Sequence, residues 1–307
     1  MSSVFLQLAI IILAGVLYRR IPGALPPQEI RRVISSIVLN VFIPFLTFGV
    51  ISTAPLGTDL FTVPIVSIST ALIGLALGWL VYARLLRKYL SEPAIGSLIL
   101  ATTWCNAMYM GLPITTSVVG EHVGRVPILY DYLGMTPLLF TIGALVGTRY
   151  GTGGERTSIV RGLADVARMP PTITIALALV VNAMSVPVPE WLATAGTSAG
   201  KVVAPLMLFS IGLALRLPSW RSIPLLAPAA ILRVAVVPML VLPLAGMLIL
   251  DPDVRLATML ESAMPTMMLT MVFAERYGLD ESMLAQAILL STLLSAITLP
   301  QVPLFIR

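Results

Sequence analysis

The stretch NAMYMGLPIT, residues 106–115, holds Asn106, Gly111 and Pro113 inside a long apolar run. Asn106 carries both donor and acceptor, so its side chain can orient a polar ligand. Pro113 removes a backbone donor and its ring clashes with the preceding turn, while Gly111 weakens a helix. A second stretch, ESAMPTMMLT, starts at Glu261 and carries Pro265 at its middle. In lipid, backbone groups freed by such breaks need partners inside the protein or in a wet cavity. The helix resuming after each break presents free amides and the positive end of its dipole to the gap. Two such ends meeting at the midplane form a site for a carboxylate. The candidate substrate-binding residues are Asn106, Met108, Gly111, Pro113 and Ile114 from the first stretch, and Met264, Pro265 and Thr266 from the second. A plain proline kink is the competing reading, because proline is frequent in membrane helices.

Three ionisable residues at membrane depth are candidates for coupling or charge balance, since such groups are costly there. Glu261 lies one helical turn before Pro265 and could carry a coupling proton or pair with a cation. Asp131 lies about a turn and a half inside the fifth apolar stretch, close enough to its end to be interfacial. Arg233, well inside the eighth, could balance a carboxylate such as Glu261 or meet an anion. Lys201 can snorkel to the surface. His122 is the only histidine, reads as a surface residue, and cannot build a metal site by itself. Met108, Met110, Met264, Met267, Met268 and Met271 crowd the breaks. They read first as adaptable packing, and any that face the site favour a ligand with apolar surface.

The elements that position these residues follow from composition. The chain of 307 residues is 58% hydrophobic and 11% charged, against about 25% charged in soluble domains. Its solvent must be lipid. The apolar runs are continuous, not alternating, which selects helices over a barrel. Ten runs are legible, at about 3–18, 33–51, 62–83, 94–119, 126–148, 171–187, 196–215, 225–250, 256–274 and 283–306. The first has no basic residue before it and two arginines after it, the reverse of a secretory signal peptide, so it stays as a membrane helix. The chain divides into 1–148, a linker over 149–170, and 171–307. One cysteine, Cys105, excludes an internal disulfide.

Orientation follows from basic residues. Connections after odd-numbered runs hold fourteen: Arg19, Arg20, Arg31, Arg32, Arg84, Arg87, Lys88, Arg149, Arg156, Arg161, Arg168, Arg216, Arg221 and Arg276. Those after even-numbered runs hold Arg125 and Arg255. The expected topology is multi-pass in the cell (inner) membrane, with both termini outside and the central linker cytoplasmic. Halves of five runs each insert with opposite orientations. Val41, Pro44 and Phe48 align with Val202, Pro205 and Phe209. Val118, Glu121 and Gly124 align with Val272, Glu275 and Gly278. The expectation is an all-α inverted repeat of five plus five helices, a common plan for secondary transporters.

NAMYMGLP, AMP followed by VFAERYG, FIPFLTFGVIS from Phe42, FSIGLAL from Phe209 and LRVAVVP from Leu232 together resemble the auxin efflux carrier family. That family includes plant PIN-type carriers and bacterial permeases. The resemblance implies a fold similar to sodium/proton antiporters and bile-acid symporters. It implies a scaffold of helices 1, 2, 6 and 7, often a homodimer, and a transport domain of helices 3–5 and 8–10. It places a crossover at Pro113 and Pro265, with Asn106 matching the family asparagine. Thr270 stands where PIN-type carriers have a second proline, and the linker is short.

The resulting expectation is a secondary transporter of a small organic anion, auxin-like or another carboxylate, working by alternating access. The alternatives are a cation/proton antiporter or sodium-coupled symporter, with Asp131 and Glu261 as ion ligands, and a non-transporting sensor or channel. No phosphate-binding G-x-x-x-x-G-K-[ST] motif and no nucleophile with a matching base are visible, so neither an enzyme nor a cofactor is expected. The net charge of +5 sits at helix ends and is no nucleic-acid signal.

Overall fold

A computed structural model describes residues 2–21, 23, 25–55, 57–153, 158–214 and 222–306. Arg156, Arg216 and Arg221, used above to orient the chain, lie outside them. The described residues are helical apart from connections and one isolated β-bridge, Cys105 to Thr266. In chain order the helices are α1 (Ser2–Tyr18), α2 (Pro27–Ile51), α3 (Asp59–Leu85), α4 (Glu92–Thr103), α5 (107–118), α6 (Glu121–Tyr150) and α7 (Ile159–Ala167). Then come α8 (Pro170–Ala183), α9 (Glu190–Ala214), α10 (Ile223–Leu248), α11 (Pro252–Ser262), α12 (Thr270–Tyr277) and α13 (Glu281–Ile306).

Six of these, α2, α3, α6, α9, α10 and α13, are long and apolar enough to cross a membrane. The bent pair α7–α8, which turns through 65°, makes a seventh if counted as one span. The other apolar runs are helical but short. The 17 residues of α1 and the 14 of α8 fall below the ~20 of a perpendicular crossing. The fourth and ninth runs are each divided in two, as α4–α5 and α11–α12.

Local chemistry sets the ends and bends. Ser91, Asp251 and Asp280 cap α4, α11 and α13 through side-chain oxygens that accept amides of the first turn. Gly278 ends α12 with φ 65°, a left-handed conformation that favours glycine. Its aligned partner Gly124 is right-handed, so the two glycines do not play the same part.

Four prolines inside helices are absorbed by widened turns. The residue preceding Pro44, Pro113, Pro137 and Pro238 donates its amide five residues back, to Val38, Ala107, Asp131 and Leu232 respectively. Such a π-turn relieves the clash between a proline ring and the carbonyl four residues earlier, so the helix continues.

Packing separates two groups of helices. In one, α9 packs on α1 and α2, and α8 packs on α2. Glycines set the closest approaches. A Cβ on Gly212 would lie 2.9 Å from Gly15 Cα, and one on Gly49 2.9 Å from Gly196 Cα. In hydrocarbon, where apolar burial gives helices no reason to associate, such small-residue contacts supply the packing. The other group is α3 to α6 with α10 to α13, and α7 lies against α6.

A buried ion pair ties the second group at one end. Arg125 Nε meets Asp59 Oδ2 at 2.5 Å, and both side chains are about 10% exposed or less. Arg125 Nη1 also donates to the His122 carbonyl at 2.7 Å. His122 is indeed a surface residue, 3.0 Å from the exposed Asp253. Replacing Arg125 by methionine should therefore cost about 3–5 kcal/mol, because it strands the buried Asp59. His122→Ala should cost less than about 1 kcal/mol. Thermal unfolding in detergent measures both.

Candidate functional site

The candidate site lies where the fourth and ninth runs lose their helices. Helix α4 ends at Thr103, and the chain is extended through Trp104 (ψ 124°) before α5 starts at Ala107. Helix α11 ends at Ser262, and α12 starts at Thr270. The two non-helical segments pair. Asn106 N donates to the Pro265 carbonyl and Met267 N to the Trp104 carbonyl, each at 2.8 Å. Thr266 Oγ1 donates to the Ala101 carbonyl at 2.8 Å, and Thr266 N donates to Ser291 Oγ of α13 at 3.1 Å. Backbone groups that would be orphaned in an apolar interior thus satisfy one another.

The carbonyls that end the two helices have a shared partner. Arg233 is fully buried. Its Nη1 donates to the Thr103 carbonyl at 2.9 Å, and its Nη2 donates to the Ser262 carbonyl. A guanidinium there neutralises the negative ends of α4 and α11 together. This corrects the expectation that Arg233 balances Glu261. The fork geometry of arginine suits two carbonyls on diverging helices better than one carboxylate already bonded elsewhere.

Glu261, also fully buried, is held by Thr115: Thr115 Oγ1 donates to Glu261 Oε1 at 2.6 Å. Glu261 Oε2 has no hydrogen-bond partner among the described residues. The carboxyl group lies against Gly111, where a Cβ would collide with it. Gly111 therefore admits the carboxylate and does not mark the break. Nor does Pro113. The break falls at 104–106, and Pro113 sits inside α5 behind its π-turn, correcting the crossover expected there.

The cavity beside the paired segments is lined by Asn106, Met108 and Tyr109 at the start of α5, by Met267 and Leu269, and by Asp131, Tyr132 and Thr136 of α6. Leu39 and Met169 close it from α2 and the α7–α8 bend. It has room for about one water molecule. No hydrogen bond from the Asn106 amide group joins it to the described residues. Asp131 is buried: Thr136 Oγ1 donates to its Oδ2 at 3.3 Å, and its Oδ1 is unpartnered among the described residues. Of the residues read from sequence, Asn106, Met108, Met267 and Asp131 come together here. Gly111, Pro113, Ile114, Met264, Pro265 and Thr266 pack behind the cavity without lining it. Thr115, Tyr132, Thr136 and Ser291 had no sequence signal, except that Thr115 follows Gly111 by one helical turn.

The sequence pattern of the family described as membrane transport protein matches residues 1–152 and 157–303. The chain belongs to that family. It is the auxin efflux carrier family that the motifs resemble. A relative from Methanothermobacter thermautotrophicus is 27% identical over 305 residues, 97% of this chain and 96% of its own, and is described as an uncharacterized transporter. Another uncharacterized transporter, from Methanocaldococcus jannaschii, is 26% identical over 309 residues, with the same coverage of both chains. As a membrane transport protein with several apolar helices, this chain acts in a membrane.

Proposed function

We propose that this membrane transport protein is a secondary transporter of a small organic anion, working by alternating access on ten helices in two inverted halves of five. In this reading α4–α5 and α11–α12 are broken spans crossing at the midplane. Helices α1, α2, α8 and α9 form the scaffold, which pairs as a homodimer, and the remainder of the bundle moves against it. The cavity sits where α5 and α6 meet α2 and the α7–α8 bend, between the two groups, and with room for about one water molecule it must widen as they move for an anion to enter. Both termini lie outside the cell membrane and the linker inside.

The single observation that carries the proposal is the Asn106 side-chain amide, which makes no hydrogen bond among the described residues and lines a cavity at the start of α5. Ala107 N, the first amide of α5, donates to the Cys105 carbonyl, but the amides of Met108 and Tyr109 in the same turn have no carbonyl of their own helix to meet, so they and the Asn106 side chain offer donors to a ligand oxygen. Met108 and Tyr109 supply apolar wall. Asp131 in the same cavity adds a condition. A carboxylate bound beside it needs a proton or cation between the two groups. That observation also favours the second reading, a cation/proton antiporter with Asp131 as ion ligand.

Thermal stabilisation across a panel of carboxylates separates the two, since a ligand that binds only the native state raises its stability. The expected result is a carboxylate that stabilises wild type, more strongly at acidic pH, and fails to stabilise Asn106→Ala. Stabilisation by sodium or by pH alone, abolished in Asp131→Asn, would replace the anion reading with the antiporter.

A further inference from the structure

A second recess, away from the cavity, opens on the outer surface between α3, α4 and α6. Its wall is apolar: Leu72, Leu75 and Trp79 of α3, Ile99 of α4 and Leu145 of α6. Its volume, about 480 Å³, lies within the range of small-molecule sites. From Trp79 to Leu72 it runs about 10 Å along the helix axis, from the helix ends into the hydrocarbon layer. Leu72 and Trp79 are more than 40% exposed, so the groove is uncovered by the chain itself.

The mouth of the groove is cationic. Arg149 lines it, with its guanidinium 5.1 Å from the Tyr150 ring centre. Arg84 stacks over Trp79 at 4.7 Å. Arg87 and Lys88 follow on the next turn, with Lys88 4.8 Å from the Tyr89 ring centre. Arg87 and Arg149 share one carboxylate, Glu92, at 2.8 and 3.7 Å. These five side chains sum to +3, four cations against one anion. Aromatic rings at the helix ends and arginines above an apolar slot match the two halves of a phospholipid, with the cations meeting an anionic headgroup.

We propose that this groove is a binding site for an anionic phospholipid, one acyl chain lying along Leu72, Leu75 and Leu145 and the phosphate meeting Arg84 and Arg149. The occupant is a lipid because the slot lies within the apolar belt while its charge lies at one end only. A protein partner or a second copy of the chain would have to cover both. The site needs neither the transported solute nor the central cavity, so it stands or falls apart from the proposed transport function.

Trp79 reports occupancy directly. The test uses Trp191→Phe/Trp220→Phe protein in phosphatidylcholine vesicles into which brominated phosphatidylglycerol or brominated phosphatidylcholine is titrated. Bromine quenches a tryptophan it touches, and buried Trp104 supplies the unquenched signal of the folded chain. Phosphatidylglycerol should quench Trp79 at roughly tenfold lower membrane fraction than phosphatidylcholine, and Arg84→Gln/Arg149→Gln should remove that preference. Arg168→Gln, an exposed charge elsewhere, should leave it intact. Equal quenching by both lipids, a preference that survives the double replacement, or no quenching by either because another chain covers the groove would each overturn the proposal.

Discussion

Replacing Arg233 by methionine should lower stability by about 3 kcal/mol or more, because it removes two charge-assisted hydrogen bonds from buried carbonyls. The Thr103 and Ser262 carbonyls terminate α4 and α11, and both residues are shut away from the surface. Leaving these groups unbonded in an apolar interior costs more than the bonds themselves gain. Arg233→Lys should recover only part of the loss, since an ammonium is a compact point charge that cannot reach both carbonyls in a fixed fork. Thermal unfolding in detergent provides the comparison, with wild type above Arg233→Lys and Arg233→Lys above Arg233→Met. A methionine variant as stable as wild type would show that the two helix ends do not depend on the guanidinium. The same variant should lose transport, because the paired segments that carry Asn106 hang from those helix ends.

The second large effect is expected at Gly111. Adding one methyl group drives a Cβ into the Glu261 carboxyl and breaks the bond from Thr115. Overpacking of this kind costs about 1–3 kcal/mol, and the displaced buried carboxyl adds to it. The collision predicts its own remedy. In Gly111→Ala/Glu261→Ala the carboxyl is gone, so the double variant should be more stable than the sum of the two single losses implies. Thr115→Val, which deletes the hydroxyl that holds Glu261 and leaves the volume alone, should be destabilised as well. Additive losses in the double variant would place the Gly111 constraint somewhere other than Glu261.

Much of this arrangement was legible in the sequence. Composition alone required a membrane and helices; six helices of the described residues are long and apolar enough to cross, or seven with the bent pair, and the other runs are shorter or divided. The paired stretches around Asn106 and Pro265 lead to the segments that are non-helical. What misled was the reading of Pro113. A proline is a breaker when its missing amide and its ring have no accommodation, and the π-turn over 107–111 accommodates both. The break instead falls where α4 and α5 each lose their hydrogen-bonding continuity, at Trp104 to Asn106, and no single residue there announces it. Pairing with 265–267 stabilises that extended backbone, and this is a long-range fact.

The facing of side chains was illegible for a related reason. Helix α6 carries a π-turn at 131–135, just before Pro137. Such turns shift the phase of the helix, so a regular period of 3.6 residues misplaces the side chains beyond them. Asp131 opens that turn, and its burial in the cavity beside Asn106 comes from packing by other helices, which the period of its own helix does not show. Arg233 is similar: its depth in the membrane was visible, but its partners are backbone carbonyls from two distant helices, which side-chain chemistry does not reveal.

The central claim is that a solute is carried at the Asn106 cavity by alternating access, and counterflow tests it most directly. Proteoliposomes are loaded with the carboxylate that best stabilises the protein, and entry of the labelled form is followed from a dilute outside solution. A carrier should concentrate label transiently against its gradient in wild type, with the overshoot lost in Asn106→Ala. Entry that only equilibrates, at a rate unaffected by the unlabelled solute inside, would mean a pore. An overshoot unchanged in Asn106→Ala would place the solute elsewhere in the fold.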